Sequence, residues 1–124
     1  MSAVPPRAAL DMLCFLPARD FALSQRFYIE LGFERKWADD KLARFQIDGC
    51  AFMLQDFHVE AHAQNCLMHL RVASVDAWWR HVDGLDLGRR YGVRMTPPAT
   101  RLWGMRDFTL TDPSGVLWRI AEAC

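Results

Sequence analysis

The stretch RLWGMRDFTLTDPSGVLWRIAEA, residues 101–123, decides the fold because it carries a complete hairpin signal. Two runs of strand-like composition, RDFTLTD and GVLWRIA, flank the turn DPSG. Proline at the second position of such a turn favours type I or type II geometry. The stretch therefore predicts two paired strands at the end of the chain, entered through a loop that contains Trp103 and Gly104.

The residues before this hairpin complete a unit of one strand, one helix and three strands. CLMHLRV is typical of a strand, and SVDAWWRHVDGLDL is typical of a helix for which Ser74 is the N-cap candidate. GRRYGVRMTPPATR, interrupted by two prolines, indicates a strand or a loop. Residues 66–122 are therefore predicted to form a βαβββ module.

The first half of the chain repeats that order over residues 8–58. LDMLCFL is a short apolar run bounded by Pro17, as expected of a buried strand. An amphipathic helix follows and stops at Gly32. Strand-like runs come next, and the pair Asp48–Gly49 between two of them is a strong signal for a two-residue hairpin.

The two halves also match at their strand-to-helix junctions, where Asp20 and Asp76 stand. A chain of 124 residues falls within the usual size of one domain. We therefore predict a single α+β domain, residues 1–124, built from two βαβββ modules.

Composition excludes several classes of partner. Lys+Arg and Asp+Glu number 15 each, so the chain lacks the basic field on which most nucleic-acid binding relies. No apolar run approaches the length of a membrane span, and MSAVPPRAA lacks the apolar core of a signal peptide. The four cysteines are scattered, as in proteins that keep reduced thiols. We expect a soluble, cytoplasmic protein that binds neither nucleic acid nor membrane.

Two segments carry a resemblance to a known family. FLPARDFALSQRFYIELGF and WGMRDFTLTDPSGVLWRI resemble the bleomycin-resistance proteins of the vicinal oxygen chelate superfamily, which also contains glyoxalase I, extradiol dioxygenases and fosfomycin-modifying enzymes. The resemblance implies the glyoxalase/bleomycin resistance fold, in which the sheets curl into a partly closed mixed barrel. It also implies a homodimer.

Enzymes of that superfamily hold a divalent ion, and the resemblance places its ligands at four strand positions. Counting from the motifs, those positions hold Leu13, His69 and Arg119, with Gln55 as the nearest candidate for the fourth. Leucine cannot ligate a metal, and a guanidinium repels one. We therefore expect no metal and no other cofactor, and His69 is either a ligand or a histidine hydrogen-bonded within the sheet.

Aromatic residues are abundant, with five tryptophans and eight phenylalanines, and their rings serve either as core or as stacking surfaces. By the resemblance, the tryptophan of the WG pair lies near the ligand cleft, which makes Trp103 the leading ligand-binding candidate; a plug at the end of the barrel is the alternative. The resemblance adds four residues that either line the groove or belong to the core: Trp37, Phe45, Met53 and Phe57.

The sequence thus predicts a metal-free, homodimeric binding protein of the bleomycin-resistance type, which sequesters an antibiotic in a groove at the dimer interface. A metal-dependent lyase, dioxygenase or thiol transferase is the alternative. Bleomycin is cationic, whereas this chain is neutral overall, so a neutral or anionic aromatic ligand stays open.

Overall fold

The structure is a computed structural model that describes residues 3–124 and follows the predicted order of elements, with two short helices added. The first module comprises β1 (Phe15–Pro17), α1 (Phe21–Leu31), β2 (Glu34–Ala38), β3 (Leu42–Ile47) and β4 (Cys50–Gln55). The connecting helix is α2 (Glu60–Gln64). The second module comprises β5 (Leu67–Arg71), α3 (Val75–Asp83), α4 (Leu87–Tyr91), β6 (Met95–Thr100), β7 (Met105–Thr111) and β8 (Leu117–Ala123).

The strands form two four-stranded sheets with the same topology. The first sheet has the order β1-β4-β3-β2 and the second the order β5-β8-β7-β6. In each sheet the first strand of the module runs parallel to the last, and the remaining pairs are antiparallel. This repeated topology confirms the predicted α+β class.

The expected partly closed barrel is not what the single chain forms. Within residues 3–124 no strand of one sheet pairs with a strand of the other, so each sheet keeps two edge strands. Closure would require such pairing, because only a continuous ladder of backbone hydrogen bonds joins the edges of a sheet.

Local capping explains where the two long helices begin and end. The Asp20 carboxylate accepts a hydrogen bond from the Leu23 N–H at 3.1 Å, and the Ser74 hydroxyl accepts one from the Ala77 N–H at 3.2 Å. Helix α1 stops at Gly32, whose φ of 125° strongly favours glycine. The predicted N-cap at Ser74 and the predicted stop at Gly32 are thus confirmed.

Both predicted hairpins are present. Ile47 pairs with Cys50 and leaves Asp48–Gly49 as a two-residue turn. In the second hairpin the Asp112 carboxylate accepts hydrogen bonds from the backbone N–H groups of Ser114 and Val116, each at 2.9 Å. The DPSG turn is therefore closed by its own aspartate.

The first predicted strand is wrong in extent. LDMLCFL, residues 10–16, was expected to be a buried strand, but β1 begins only at Phe15 and Pro17 is its last residue. Leu10 and Met12 are 95% and 94% exposed. Residues 3–14 lie outside the strands of the sheet, so Leu10 and Met12 have almost no packing partner among residues 3–124.

The core is an aromatic cluster that joins the two modules. Phe45 and Phe52 of the first sheet stack with ring centroids 5.6 Å apart, and Tyr28 of α1 lies 4.8 Å from Phe52. Trp118 of β8 lies 5.4 Å from Phe52. Rings from both sheets thus share one buried cluster, which fixes the modules to each other.

Buried hydrogen bonds cross the same junction. The Tyr28 hydroxyl donates to the Asp112 carboxylate at 2.6 Å and accepts from the Trp118 indole N–H at 3.0 Å. Burial raises the pKa of the Asp112 carboxyl, although its hydrogen bonds act in the opposite direction. Burial likewise raises the pKa of Tyr28 well above its ordinary value. The network ties helix α1 of the first module to the hairpin of the second.

Among the described residues, no helix has both the length and the apolar character that crossing a membrane requires.

Candidate ligand-binding site

Each sheet has a sealed face, whose side chains are buried in the core, and an open face on the other side. Successive residues of a strand point to opposite faces. In β8, Trp118 and Ile120 are buried, which places Arg119 on the open face. In β3, Ala43 and Phe45 are buried, which places Arg44 on the open face.

A row of four side chains crosses the open face of the first sheet, one from each strand. Trp37 pairs with Arg44, Arg44 pairs with Met53, and Met53 pairs with Phe15. Trp37 and Phe15 are about half exposed, whereas Met53 between its neighbours is covered. We call these residues the first-sheet row; exposed aromatic rings lie at its two ends, and one guanidinium and the covered Met53 lie between them.

A corresponding row crosses the open face of the second sheet. Thr96 pairs with Thr109, Thr109 pairs with Arg119, and Arg119 pairs with His69. We call these residues the second-sheet row. It is polar throughout, and its centre is again an arginine.

A buried carboxylate holds the arginine of the second-sheet row. Asp107 is 1% exposed, and its oxygens accept from the Arg101 Nε at 3.0 Å and from the Arg119 Nη1 at 3.3 and 3.4 Å. Two guanidinium groups therefore share one carboxylate, which leaves a net positive charge at the open face. Arg106, the sequence neighbour of Asp107, points to the other face and pairs with Asp76 at 2.9 Å instead.

Trp103 lies against the same arginine. Its loop is closed by hydrogen bonds from the Arg101 N–H to the Met105 carbonyl at 2.7 Å and from the Gly104 N–H to the Arg101 carbonyl at 3.2 Å. The Arg119 guanidinium carbon lies 5.8 Å from the centre of the Trp103 ring, within the range of a cation–π interaction. The ring is nevertheless 63% exposed, so most of its surface is free to stack on a ligand.

The structure separates the five predicted ligand-binding residues. Trp37 and Met53 belong to the first-sheet row, and Trp103 belongs to the open side of the second sheet. Phe57 follows β4 and is 54% exposed. Phe45, by contrast, is fully buried among the rings of the core on the sealed face.

Sequence reasoning missed several residues of these open faces, among them Phe15, Arg44 and Arg101. Arg44 carried a usable signal, because it stands between the apolar residues Ala43 and Phe45 in a strand. Arg101 carried none, since its contact with Asp107 depends on how the loop before β7 folds back.

A cleft of about 490 Å³ opens beside the second-sheet row. His69 and Arg71 of β5 form part of its lining, together with Cys50 at the start of β4. That volume lies within the range of small-molecule sites. Because His69 is the register partner of Arg119, the cleft adjoins the row rather than lying at a distance from it.

The residues at the implied metal-ligand positions do not fit a divalent ion. His69 is the register partner of Arg119, and the positive charge of Arg119 opposes a cation on this face of the sheet. Gln55 belongs to the other sheet, where it pairs with Leu42 and Pro17. Nowhere in residues 3–124 do three or more His, Cys, Asp or Glu side chains come together in a group that could hold a metal ion.

Cys66, just before β5, does not have the character of a nucleophile. Burial, the largest effect, and the neighbouring Cys14 raise the pKa of the Cys66 thiol to about 11. A thiol with that pKa stays protonated near neutral pH, whereas the thiolate is the reactive form.

Comparison with known proteins places this architecture in a family. The model of the glyoxalase/bleomycin resistance protein/dioxygenase superfamily matches residues 10–120. No curated protein matches the sequence.

Solved structures share the fold at low identity. A bleomycin-binding protein complexed with bleomycin has a TM-score of 0.79 and 22% identity, over 94% of this chain and all of the other. A bleomycin-binding protein from Streptomyces verticillus, complexed with copper(II)-bleomycin, has a TM-score of 0.78 and 23% identity over 92% and 96% of the two chains. Lactoylglutathione lyase from Agrobacterium tumefaciens has a TM-score of 0.70 and 17% identity over 94% and 95%. Binders and an enzyme thus share this fold, and function has to be argued from the site.

Proposed function

The chain belongs to the glyoxalase/bleomycin resistance protein/dioxygenase superfamily, and from that premise we propose that it is a metal-free binding protein that sequesters a small aromatic molecule. The observation that carries the proposal is the exposed Trp103 ring beside Arg119, a residue that stands at one of the implied metal-ligand positions. Sequestration needs only affinity, because lowering the free concentration of a toxic compound requires no reacting group.

The binding groove in this proposal is shared by two copies of the chain. Within residues 3–124 both open faces carry exposed aromatic or apolar side chains: Phe15, Trp37, Leu67 and Trp103. A homodimer that brings the first-sheet row of one copy toward the second-sheet row of the other would place Trp37 and Trp103 on opposite walls. A flat ligand ring would then stack between them. A reducing cytoplasm suits the free thiols of such a protein.

The relatives supply the first ligand to test. Two of the structural neighbours are bleomycin-binding proteins, and one of them was solved with copper(II)-bleomycin. We would titrate bleomycin, free and copper-loaded, into the purified protein by calorimetry and assay the metal content of the same sample. We expect bleomycin to bind saturably, near one ligand per subunit, and the protein to contain no stoichiometric metal.

Two variants test whether the Trp103 ring contributes to ligand binding. Trp103→Ala removes one stacking surface and is expected to weaken binding roughly twofold to tenfold, since an aromatic pair is worth about 0.5–1.5 kcal/mol. Leu102→Ala is the matched control, because Leu102 is a fully exposed neighbour in the same loop. Stoichiometric metal without any binding heat would contradict the proposal and favour a metal-dependent lyase, dioxygenase or thiol transferase.

A further inference from the structure

We infer that the ligand is an aromatic anion, whose carboxylate, sulfonate or phosphate group is held by Arg119 while its ring stacks on Trp103. This inference rests on the proposed function and specifies the class of molecule that the same site accepts. It differs from the expectation set by the bleomycin-binding neighbours, since bleomycin is cationic.

The first support is the charge of the second open face. Arg101 and Arg119 share the single carboxylate of Asp107. Arg71 lies two residues beyond His69 in β5, on the same face of the sheet, and makes no ion pair within residues 3–124. The second open face therefore carries three guanidinium groups and one carboxylate. That carboxylate is buried beneath two of the guanidinium groups.

The first open face adds a fourth guanidinium. Arg44 lies beside Trp37, and its carboxylate partner is Asp11 at 3.7 Å. Asp11 is more than half exposed and belongs to the irregular segment before β1, so it neutralises Arg44 only weakly. Glu34 and Lys36 of β2 pair with each other at 3.3 Å, so together they do not change the net charge of the first sheet.

Acidic residues that could favour a cationic ligand lie elsewhere. Asp39 accepts hydrogen bonds from the backbone N–H groups of Lys41 and Leu42, both at 2.8 Å, in the turn between β2 and β3. Asp56 lies 3.8 Å from Lys41 near the same turn. These carboxylates sit at one end of the first sheet and not in either row, so the rows themselves remain positive.

The geometry of Arg119 suits an oxyanion. Only its Nη1 group donates to Asp107, and its Nε and Nη2 groups donate to no acceptor in the described part of the chain. A guanidinium with two free N–H directions matches the paired oxygens of a carboxylate or phosphate. Asp107 acts as a positioning residue, because it holds the guanidinium in place over Trp103 without itself reaching the ligand.

The test uses three probes that share one ring and differ in charge: 2-naphthoate, 2-naphthylmethanol and 2-naphthylmethylammonium. Each would be titrated into the full chain by calorimetry, at low salt and at about 0.5 M salt. We expect the anion to bind at least about tenfold more tightly than the alcohol, a factor that corresponds to about 1.4 kcal/mol, and the cation to bind most weakly. Higher salt should weaken the binding of the anion and leave the affinity for the alcohol unchanged.

Variants then assign the preference to one side chain. Arg119→Gln should bring the anion-to-alcohol affinity ratio close to one while the affinity for the alcohol stays within about twofold. Arg119→Lys keeps the charge but loses the planar fork, and should give an intermediate ratio. Arg106→Gln is the matched control, because Arg106 pairs with Asp76 on the other face. Thermal melting of each variant confirms that it is folded.

The outcomes separate this inference from the proposed function. One outcome keeps the aromatic site and rejects the charge assignment. In that outcome the alcohol binds and Trp103→Ala weakens its binding, but the anion binds no more tightly than the alcohol, or Arg119→Gln leaves the anion-to-alcohol affinity ratio unchanged. If the cation binds most tightly, the inference is also overturned, and a bleomycin-like ligand is favoured. If no naphthyl probe binds while bleomycin does, sequestration stands and the aromatic anion is again rejected. If neither bleomycin nor any probe binds, both proposals fail.

Discussion

The two faces of each sheet differ far more than the two sheets differ from each other. On the sealed face, the rings of Phe45, Phe52 and Trp118 pack together with almost no exposure. At the next position along β3 and β8, Arg44 and Arg119 place guanidinium groups on the open face. Adjacent residues in a strand therefore differ in role: one packs in the core, and the next lies on the face where we propose that the ligand binds.

The largest expected effect comes from breaking the sealed face. Phe52→Ala removes a ring that contacts Tyr28, Phe45 and Trp118, and should lower the free energy of unfolding by about 3–5 kcal/mol. Urea denaturation followed by circular dichroism measures the change. Trp37→Ala on the open face is the control and should lower stability far less, since that ring is half exposed. Equal losses for the two variants would contradict the distinction between the faces.

A smaller loss is expected from the polar network beneath the sealed face. Tyr28→Phe leaves the Asp112 carboxylate without one buried donor and the Trp118 indole N–H without its acceptor. The cost of such unsatisfied groups is about 1–3 kcal/mol, measured by the same denaturation experiment. Tyr91→Phe is the matched control, because its hydroxyl bonds to Glu30 near the surface. A Tyr28→Phe protein as stable as the parent would show that the network contributes nothing.

The smallest expected effect is a change of stability with pH. Burial raises the pKa of Asp112 in the folded protein above the unfolded value of about 3.9. The folded state then binds the proton more tightly, so this contribution is fully present below the unfolded pKa and is lost as pH rises through the folded pKa. Asp112→Asn should remove that part of the pH dependence in unfolding titrations between the acidic range and neutrality. An identical pH profile for the parent and the variant would refute the assignment.

Local signals in the sequence located most of the elements. Ser74, Gly32 and the Asp48–Gly49 pair act within a few residues of themselves, so their effects could be predicted from spacing alone. The length of β1 could not be predicted in this way, because it depends on which of its residues pair with the parallel strand β4. Barrel closure likewise depends on pairing between distant strands, and the described residues 3–124 do not form it.

The candidate site was predicted less completely, because which side of a strand meets the core is a tertiary property. Trp103 could be singled out since it precedes a glycine in a loop, and it is exposed. Phe45 could not be assigned to a face from LARFQI alone, and it lies in the core. The pairing of Asp107 with Arg101 and Arg119 follows from strand register and loop closure, neither of which its motif specifies.

One measurement tests most directly whether the open faces bind the ligand. The chain has five tryptophans, and each gives its own indole N–H signal in a two-dimensional ¹H–¹⁵N NMR spectrum once assigned by single substitutions. During titration with 2-naphthoate, we predict that the Trp103 and Trp37 signals move saturably while Trp79, which packs against Phe108 on the sealed side, stays fixed. Movement of Trp78, which lines a separate cleft between the modules, with Trp103 and Trp37 unchanged would contradict the account.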